Sequence, residues 1–286
     1  MQRLSSPAAL LAIAVLTYGF SNALVRNFAV DRTGLELAFW LAAATITGIL
    51  ASHGKRARSD LRLGNTQTAL PFICFQGAAF LTFVLAMDLA PAAQVGAILP
   101  LEGIVAAGFA ALIFKERIGK IEVVCIGCSA LGAALMARAA ASGEVGNLLG
   151  LLFALTSASL YGAAMLAVRP AALSNKTGAL TFWACVPVFV ICAPFGLSAI
   201  GSDTLTLFAI SCFIKPVADL TYTAGIARAP IALASSTLPM IGMATAGFAW
   251  VLMGEAPGPQ AAIAATIIAA CSVVLVLQQA RSQASS

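Results

Sequence analysis

Residues 99–116 read LPLEGIVAAGFAALIFKE, and residues 238–255 read LPMIGMATAGFAWVLMGE. Eight of these 18 aligned positions are identical at an offset of 139 residues. The match extends upstream, where Ala90-Pro91 aligns with Ala229-Pro230 and Leu81-Thr82 aligns with Leu220-Thr221. Self-similarity at a fixed offset indicates an internally duplicated chain.

The helices that precede these segments also match, at an offset of 143 residues. Tyr18-Gly19 aligns with Tyr161-Gly162, Phe39-Trp40 with Phe182-Trp183, and Arg26 with Arg169. The offset then falls by four because the basic loop near residue 55 is longer than its counterpart near residue 200. The pattern predicts two units, residues 1–143 and residues 144–286.

The composition indicates a membrane protein. Of the 286 residues, 60% are hydrophobic and 9% are charged, and the mean hydropathy is +0.97. A soluble domain is typically about 45–50% apolar and about 25% charged. The net charge of +5 lies mostly in short gaps between apolar runs, so it predicts no nucleic-acid partner.

Ten apolar runs are long enough to cross a bilayer, which takes about 20 residues. They cover residues 7–25, 34–51, 69–87, 92–114, 121–138, 147–168, 178–197, 204–226, 231–252 and 260–278. The first run follows Arg3 and imitates a signal peptide. We predict that it is retained as a helix, because nine further spans follow and because it has a counterpart in the second unit.

Five spans per unit is an odd number, so the second unit enters the membrane in the opposite sense. This predicts an all-α fold with two inverted-topology repeats, a common plan of secondary transporters whose substrate site lies between the halves. Orientation follows the basic residues. With the N-terminus in the cytoplasm, 12 of the 16 Lys and Arg residues are cytoplasmic: Arg3, Lys55, Arg56, Arg58, Arg62, Lys115, Arg117, Lys120, Arg169, Lys176, Arg228 and Arg281. We therefore predict a multi-pass protein of the bacterial inner membrane with both termini cytoplasmic.

The motifs resemble those of the drug/metabolite transporter superfamily, and specifically its EamA-type ten-helix permeases. The residues that carry this resemblance are Ala90-Pro91, Leu99-Pro100, Glu116, Gly127, Ala229-Pro230, Leu238-Pro239 and Glu255. The resemblance implies a basket of helices whose central cavity is lined by spans one, three, four, six, eight and nine. It also implies export of amino acids, other metabolites or drugs, with protons as the expected coupling ion. One departure is that the second-half counterpart of Glu102 is Ile241.

Glu102 is the first candidate site residue, because charged residues at membrane depth are costly and are functional candidates by default. It lies near the middle of the fourth span, two residues after Pro100, which frees a helix carbonyl. Two interpretations stay open. Glu102 binds a substrate amine or a proton, or it is a hydrogen-bonded or salt-bridged structural residue.

Lys215 and Asp219 are separated by one helical turn in the eighth span, with Pro216 between them, so they share one helix face. Three interpretations stay open. Lys215 and Asp219 form a mutual ion pair, or they bind the carboxylate and the amine of a zwitterionic substrate. In the third interpretation, Lys215 pairs with Glu102. The first-half counterparts of Lys215 and Asp219 are Gln76 and Phe80. The charges therefore belong to one half only, which favours a site over a requirement of the fold.

The remaining candidates are aromatic or polar residues inside the spans, and prolines that interrupt helices. The predicted substrate-binding residues are Glu102, Lys215, Asp219, Tyr18, Asn22, Gln76, Tyr161, Trp40, Trp183 and Tyr222. The predicted helix-break or gating residues are Pro100, Pro216 and Pro239. All seven cysteines lie in apolar runs, where they pack as small hydrophobes, and the only histidine, His53, lies in the basic loop. We therefore predict no metal, no cofactor and no catalytic residue.

The sequence favours a secondary transporter that exports amino acids or related zwitterions by alternating access. Its expected partners are a small-molecule substrate, protons and the lipid bilayer, and the expected oligomeric state is a monomer. One alternative is an efflux permease for lipophilic cations, favoured by Glu102 and opposed by Lys215. A second alternative is a passive channel, which would need a polar stripe on several helices. An intramembrane enzyme is disfavoured, because the only histidine, His53, lies in a loop and Asp219 has no aspartate partner at a similar depth.

Overall fold

The computed structural model describes residues 6–28, 32–89, 101–103, 105–106, 109, 119–140, 148–198, 200–230, 233–234 and 237–254, with scattered helical residues between 263 and 277. In these ranges all regular structure is helical. The helices are α1 (Pro7–Phe28), α2 (Gly34–His53), α3 (Ala57–Asp60), α4 (Thr66–Leu89), α5 (Lys120–Ala140), α6 (Leu148–Ser174), α7 (Thr177–Ser198), α8 (Ser202–Arg228) and α9 (Thr237–Met253). A 3₁₀ turn at Gly54–Arg56 joins α2 to α3.

The helices coincide with most of the predicted spans. Among the described residues, six helices are long and apolar enough to cross a membrane: α1, α2 (with the 3₁₀ turn and α3), α4, α6, α7 and α8. α5 and α9 cover the fifth and ninth predicted spans. Spans four and ten lie largely outside the described residues, so the count of ten helices stays a prediction. The predicted boundary at residues 143/144 also lies outside them.

The helix contacts are nearly symmetric between the first and the second predicted half. α4 packs along α6, and α8 packs along α1 in the same way. α4 also contacts α7 as α8 contacts α2, and α2 lies against α7. Exchanging the first five predicted spans with the last five converts α4–α6 into α8–α1 and α4–α7 into α8–α2, and it leaves α2–α7 unchanged. The two inverted repeats stay a prediction.

Two aligned glycines make equivalent close approaches. A methyl group on Gly162 of α6 would lie 3.0 Å from the Glu102 carbonyl oxygen and 3.0 Å from Val105. A methyl group on Gly19 of α1 would lie 2.5 Å from Ala244 Cβ in α9. Val105 and Ala244 are themselves aligned at the offset of 139 residues. Small residues allow helices in a membrane to approach closely, and here they bring the Glu102 backbone against α6.

The connection before α4 is tied to the connection between α6 and α7. The buried side-chain amide of Asn175 accepts a hydrogen bond from the Asn65 backbone N–H at 3.0 Å and donates to the Asn65 carbonyl at 3.1 Å. Lys176 and Asp60 form an ion pair at 2.6 Å nearby. These contacts fix the two predicted halves to each other at one end of the helices.

Candidate substrate site

Asp219 is the centre of a buried polar cluster contributed by three helices. One of its oxygens, Oδ1, accepts a hydrogen bond from the Tyr18 hydroxyl of α1 and pairs with Lys215 Nζ at 2.6 Å. The other, Oδ2, accepts from the Thr45 hydroxyl of α2 at 2.7 Å. Three donors therefore surround the carboxylate, which compensates for the loss of water around a buried charge.

Lys215 is held by the same cluster. Its ammonium group lies 4.5 Å from the centroid of the Tyr18 ring, within the range of a cation–π contact. The side chains of Lys215 and Asp219 are each only 11% exposed. The mutual ion pair, one of the three interpretations of their spacing, is therefore present. The alternative pairing of Lys215 with Glu102 is not observed among the described residues.

Glu102 lies apart from that ion pair and is more deeply buried, with 1% of its surface exposed. Its Oε1 accepts a hydrogen bond from the Tyr222 hydroxyl of α8 at 3.4 Å. Within the described part of the chain, its Oε2 has no hydrogen-bond partner. A buried carboxyl oxygen without a partner is uncommon and costly, so Glu102 has one oxygen available to a ligand or a proton.

Two tyrosines connect the carboxyl groups. The rings of Tyr18 and Tyr222 meet edge to face, with centroids 5.8 Å apart. Each hydroxyl binds a different carboxyl group, Asp219 for Tyr18 and Glu102 for Tyr222. Tyr161, the aligned counterpart of Tyr18, lies within electrostatic range of both carboxyl groups. The structure therefore brings together five of the predicted site residues and Tyr161 beside them.

Other predicted residues lie at the edge of this cluster or outside it. Asn22 is exposed, and its amide lies 3.5 Å from the Thr245 hydroxyl of α9. Gln76 of α4 is half-buried and makes no hydrogen bond with the described residues. Pro216 is buried against Gly48 of α2. Pro100 lies outside the described residues, as does the side chain of Pro239.

The two tryptophans occupy different environments despite their aligned positions. Trp40 is buried in an aromatic cluster, with its ring centroid 5.6 Å from that of Phe208. Trp183 is 39% exposed, and its indole N–H donates to the Leu61 carbonyl at 2.9 Å. Neither residue contacts Asp219 or Glu102 among the hydrogen bonds and ring contacts of the described residues. Their predicted roles in substrate binding remain untested.

Thr45 was missed by the sequence analysis. It is 1% exposed and supplies one of the three donors to Asp219. The only sequence signal is a hydroxyl residue in the middle of an apolar span, within AAATITG at residues 42–48. Serine and threonine are common at helix contacts in membranes, so this signal does not distinguish Thr45 from the other hydroxyl residues in the spans.

Residues 5–138 match the EamA-like transporter family. The predicted EamA resemblance is confirmed. No curated protein matches the chain. Among the solved structures that are similar in fold, a crystal structure of a protein has a TM-score of 0.79 and 20% sequence identity, over 96% of this chain and 98% of the other.

The EamA match supports a membrane transporter of the drug/metabolite type and a multi-pass protein in a lipid bilayer. It also favours a transporter over an enzyme. The matched residues include Tyr18, Thr45 and Glu102, all of which lie in the first predicted half. Lys215, Asp219 and Tyr222 lie in the second half, beyond the matched residues. The EamA-like half and the second half therefore each contribute residues to the candidate site.

Proposed function

We propose that this EamA-like protein is a secondary transporter that exports amino acids or related zwitterions by alternating access. Glu102 carries the proposal, because it is a fully buried carboxyl group with one oxygen that has no described partner. An incoming ammonium group or proton would satisfy that oxygen. A buried acidic residue of this kind in a membrane protein is a candidate for substrate or proton binding.

The Lys215–Asp219 pair supplies the complementary charge. Lys215 is paired with Asp219 at 2.6 Å, so its charge is compensated within the protein. A substrate carboxylate that approaches Lys215 would compete with Asp219, whose other donors, Tyr18 and Thr45, would keep it solvated. A zwitterion would then have its amine at Glu102 and its carboxylate at Lys215, on opposite sides of the Tyr18–Tyr222 ring contact.

Alternating access would use the exchangeable packing of the two halves. The pairs α1–α8 and α4–α6 each join one half to the other. The Asp219 carboxylate accepts hydrogen bonds from side chains of α1 and α2, and the Glu102 carboxyl group accepts one from a side chain of α8. A ligand that changes the partners of these carboxyl groups thereby changes contacts between the halves. Differential contacts in two states are what allow a ligand to shift a conformational equilibrium.

A lipophilic-cation efflux permease is the second candidate. Glu102 alone would bind a cation, and the Lys215–Asp219 pair would then have a structural role. Aromatic rings beside Glu102, including Tyr222, are suited to cation binding. A passive facilitator is the third candidate. It would use the same site without a proton gradient.

The test is flux measured in proteoliposomes that contain the purified protein. The panel contains labelled amino acids, a lipophilic cation and a nucleobase, each with and without a proton gradient. Saturable amino-acid flux that is driven by the gradient supports the proposal. Flux of the cation alone supports drug efflux, and flux that never exceeds equilibration under a gradient supports a facilitator. Absence of flux in every condition, from protein that remains folded, contradicts transport of these classes.

A further inference from the structure

An open cavity lies at one end of α2 and α7, and none of the side chains clustered around Glu102 and Asp219 lines it. Its volume is about 600 Å³. Leu50 of α2 and Phe182 and Trp183 of α7 form one part of its wall. The segment after α2 forms the rest, with Leu61 and two arginines, Arg58 and Arg62. The cavity thus combines an apolar wall with two cationic groups.

The two arginines have no carboxylate partner in the described part of the chain. Asp60 lies between them in sequence, but its carboxylate is bound by Lys176 at 2.6 Å. Arg58 and Arg62 are exposed, and Lys55 and Arg56 add further positive charge to the same segment. The cavity mouth is therefore cationic and has the chemistry to bind an anion. Planar guanidinium groups favour phosphate in particular, which they contact through two hydrogen bonds.

The wall is held in place by a specific contact. The Trp183 indole N–H donates to the Leu61 carbonyl at 2.9 Å, and Leu61 is 6% exposed. Because this bond joins α7 to the segment after α3, the arginines are attached to a fixed surface. Trp183 itself is 39% exposed and Leu50 is 41% exposed, so the apolar wall is open to its surroundings.

The position of the cavity matches the boundary of a bilayer. Leu50 lies three residues before the end of α2, and Trp183 lies six residues after the start of α7. At a rise of about 1.5 Å per residue these positions are about 5 and 9 Å from the helix ends. Tryptophan is enriched at this depth, and basic residues next to a span attract anionic lipid.

We propose that the cavity binds the phosphate headgroup of an anionic phospholipid. Arg58 and Arg62 contact the phosphate, and the proximal acyl chain lies along Leu50, Phe182 and Trp183. A lipid fits these features better than a soluble phosphate does, because exposed Leu50 and Trp183 continue the apolar wall toward the membrane. The site is independent of the transported substrate.

The experiment is native mass spectrometry of the delipidated full-length protein. The protein is titrated with phosphatidylglycerol and with phosphatidylcholine of the same acyl chains, and with glycerol 3-phosphate as the soluble headgroup. We expect one tightly bound phosphatidylglycerol. Arg58→Gln and Arg62→Gln should each weaken its binding about fivefold, which corresponds to about 1 kcal/mol per basic residue near a membrane surface. Arg56→Gln is the matched control, since it removes the same charge from the same segment outside the cavity.

The variant Trp183→Phe distinguishes lipid binding in a formed cavity from general attraction of anionic lipid to the basic segment. It keeps an aromatic ring and the net charge but loses the N–H that binds Leu61. We expect weaker phosphatidylglycerol binding in this variant also. The proposal is overturned if phosphatidylcholine binds equally well, or if Arg56→Gln weakens binding as much as Arg58→Gln does. It is also overturned if glycerol 3-phosphate binds as tightly as the lipid, because the ligand would then be a soluble phosphate.

Discussion

Tyr18 and Tyr222 meet edge to face with ring centroids 5.8 Å apart, and their hydroxyls bind two different carboxyl groups. Tyr18 donates to Asp219, which already has two further donors. Tyr222 donates to Glu102, whose second oxygen has no partner among the described residues. The two ends of this tyrosine contact therefore differ, with a satisfied carboxylate on one side and an available carboxyl oxygen on the other. Substitutions on the Asp219 side and on the Glu102 side of this contact should therefore differ in their effects on flux and stability.

Glu102→Gln should abolish the proton dependence of flux while the protein stays folded. The amide keeps the size of the side chain and a polar partner for Tyr222, but it cannot exchange a proton or attract an ammonium group. We expect a loss of flux of at least about tenfold, equivalent to about 1.4 kcal/mol, and a flat pH profile. Flux in proteoliposomes across a series of pH values checks this.

Asp203→Asn is the matched control for Glu102→Gln, because Asp203 is an exposed carboxylate in the first turn of α8. It should leave flux and the pH profile unchanged. If Glu102→Gln also keeps the parental pH profile, Glu102 has a structural role only.

Tyr222→Phe should give a smaller change in the same direction. It removes the described hydrogen bond to Glu102 Oε1 and retains the ring that contacts Tyr18. One ordinary hydrogen bond contributes about 0.5–1.5 kcal/mol, so we expect a change of about two- to tenfold in apparent substrate affinity. The flux KM reports this change, and the melting temperature should also fall, because the buried Glu102 Oε1 loses its described donor at a cost of about 1–3 kcal/mol. An effect as large as that of Glu102→Gln would contradict this modest role.

Lys215→Met and Asp219→Asn should each destabilise the protein more than the double variant does. Removing one member of a buried ion pair leaves the other charge without compensation, at a cost of about 3–5 kcal/mol. The double variant removes both charges. Thermal unfolding in detergent measures the three variants and so completes a double-mutant cycle.

Flux through the double variant then separates the two interpretations of this pair. If Lys215 binds the substrate carboxylate, the double variant is stable and inactive. Recovery of stability together with flux would show that the pair is structural.

Gly162→Ala should destabilise the packing of α6 on the Glu102 segment. The new methyl group would lie 3.0 Å from a backbone carbonyl oxygen, which cannot rotate away as a side chain does. Overpacking of this kind typically costs about 1–3 kcal/mol. Gly77→Ala in α4 is the control, because its methyl group would make only ordinary contacts of 3.5–4.0 Å with residues of α7. Equal melting temperatures for the two variants would show that α6 moves aside at little cost.

The sequence determined the features that depend on local spacing. Apolar runs located the helices because each run crosses about 30 Å of hydrocarbon. Lys215 and Asp219, which are one helical turn apart, form the ion pair that this spacing allows. Gly19 and Gly162 are aligned in the sequence and make equivalent contacts in the structure. Gly19 lies against Ala244, and Gly162 lies against Val105, which aligns with Ala244.

Contacts between distant helices could not be predicted in the same way. Thr45 and Tyr18 donate to Asp219 across 174 and 201 residues of chain, so these partners depend on how far each helix is rotated. Trp40 and Trp183 illustrate the limit. They are aligned in sequence, yet one is buried among aromatic rings and the other lies in an open cavity. The difference arises because the two halves carry different neighbours around an aligned position.

Asn175→Ala should destabilise the protein and weaken the link between its halves. The Asn175 amide exchanges two hydrogen bonds with the Asn65 backbone and also donates to the Ala171 carbonyl at 2.9 Å. Asn175 is 7% exposed, so its loss leaves backbone groups with reduced access to water, at about 1–3 kcal/mol for each buried group left unsatisfied. We expect a lower melting temperature and faster hydrogen exchange at residues 64–68. Thr206→Ala is the control, since this exposed hydroxyl bonds only within its own helix among the described residues. Unchanged exchange at residues 64–68 in Asn175→Ala would mean that other contacts, such as the Lys176–Asp60 ion pair and the Thr68–Ser174 hydrogen bond at 2.8 Å, are enough to hold the two connections together.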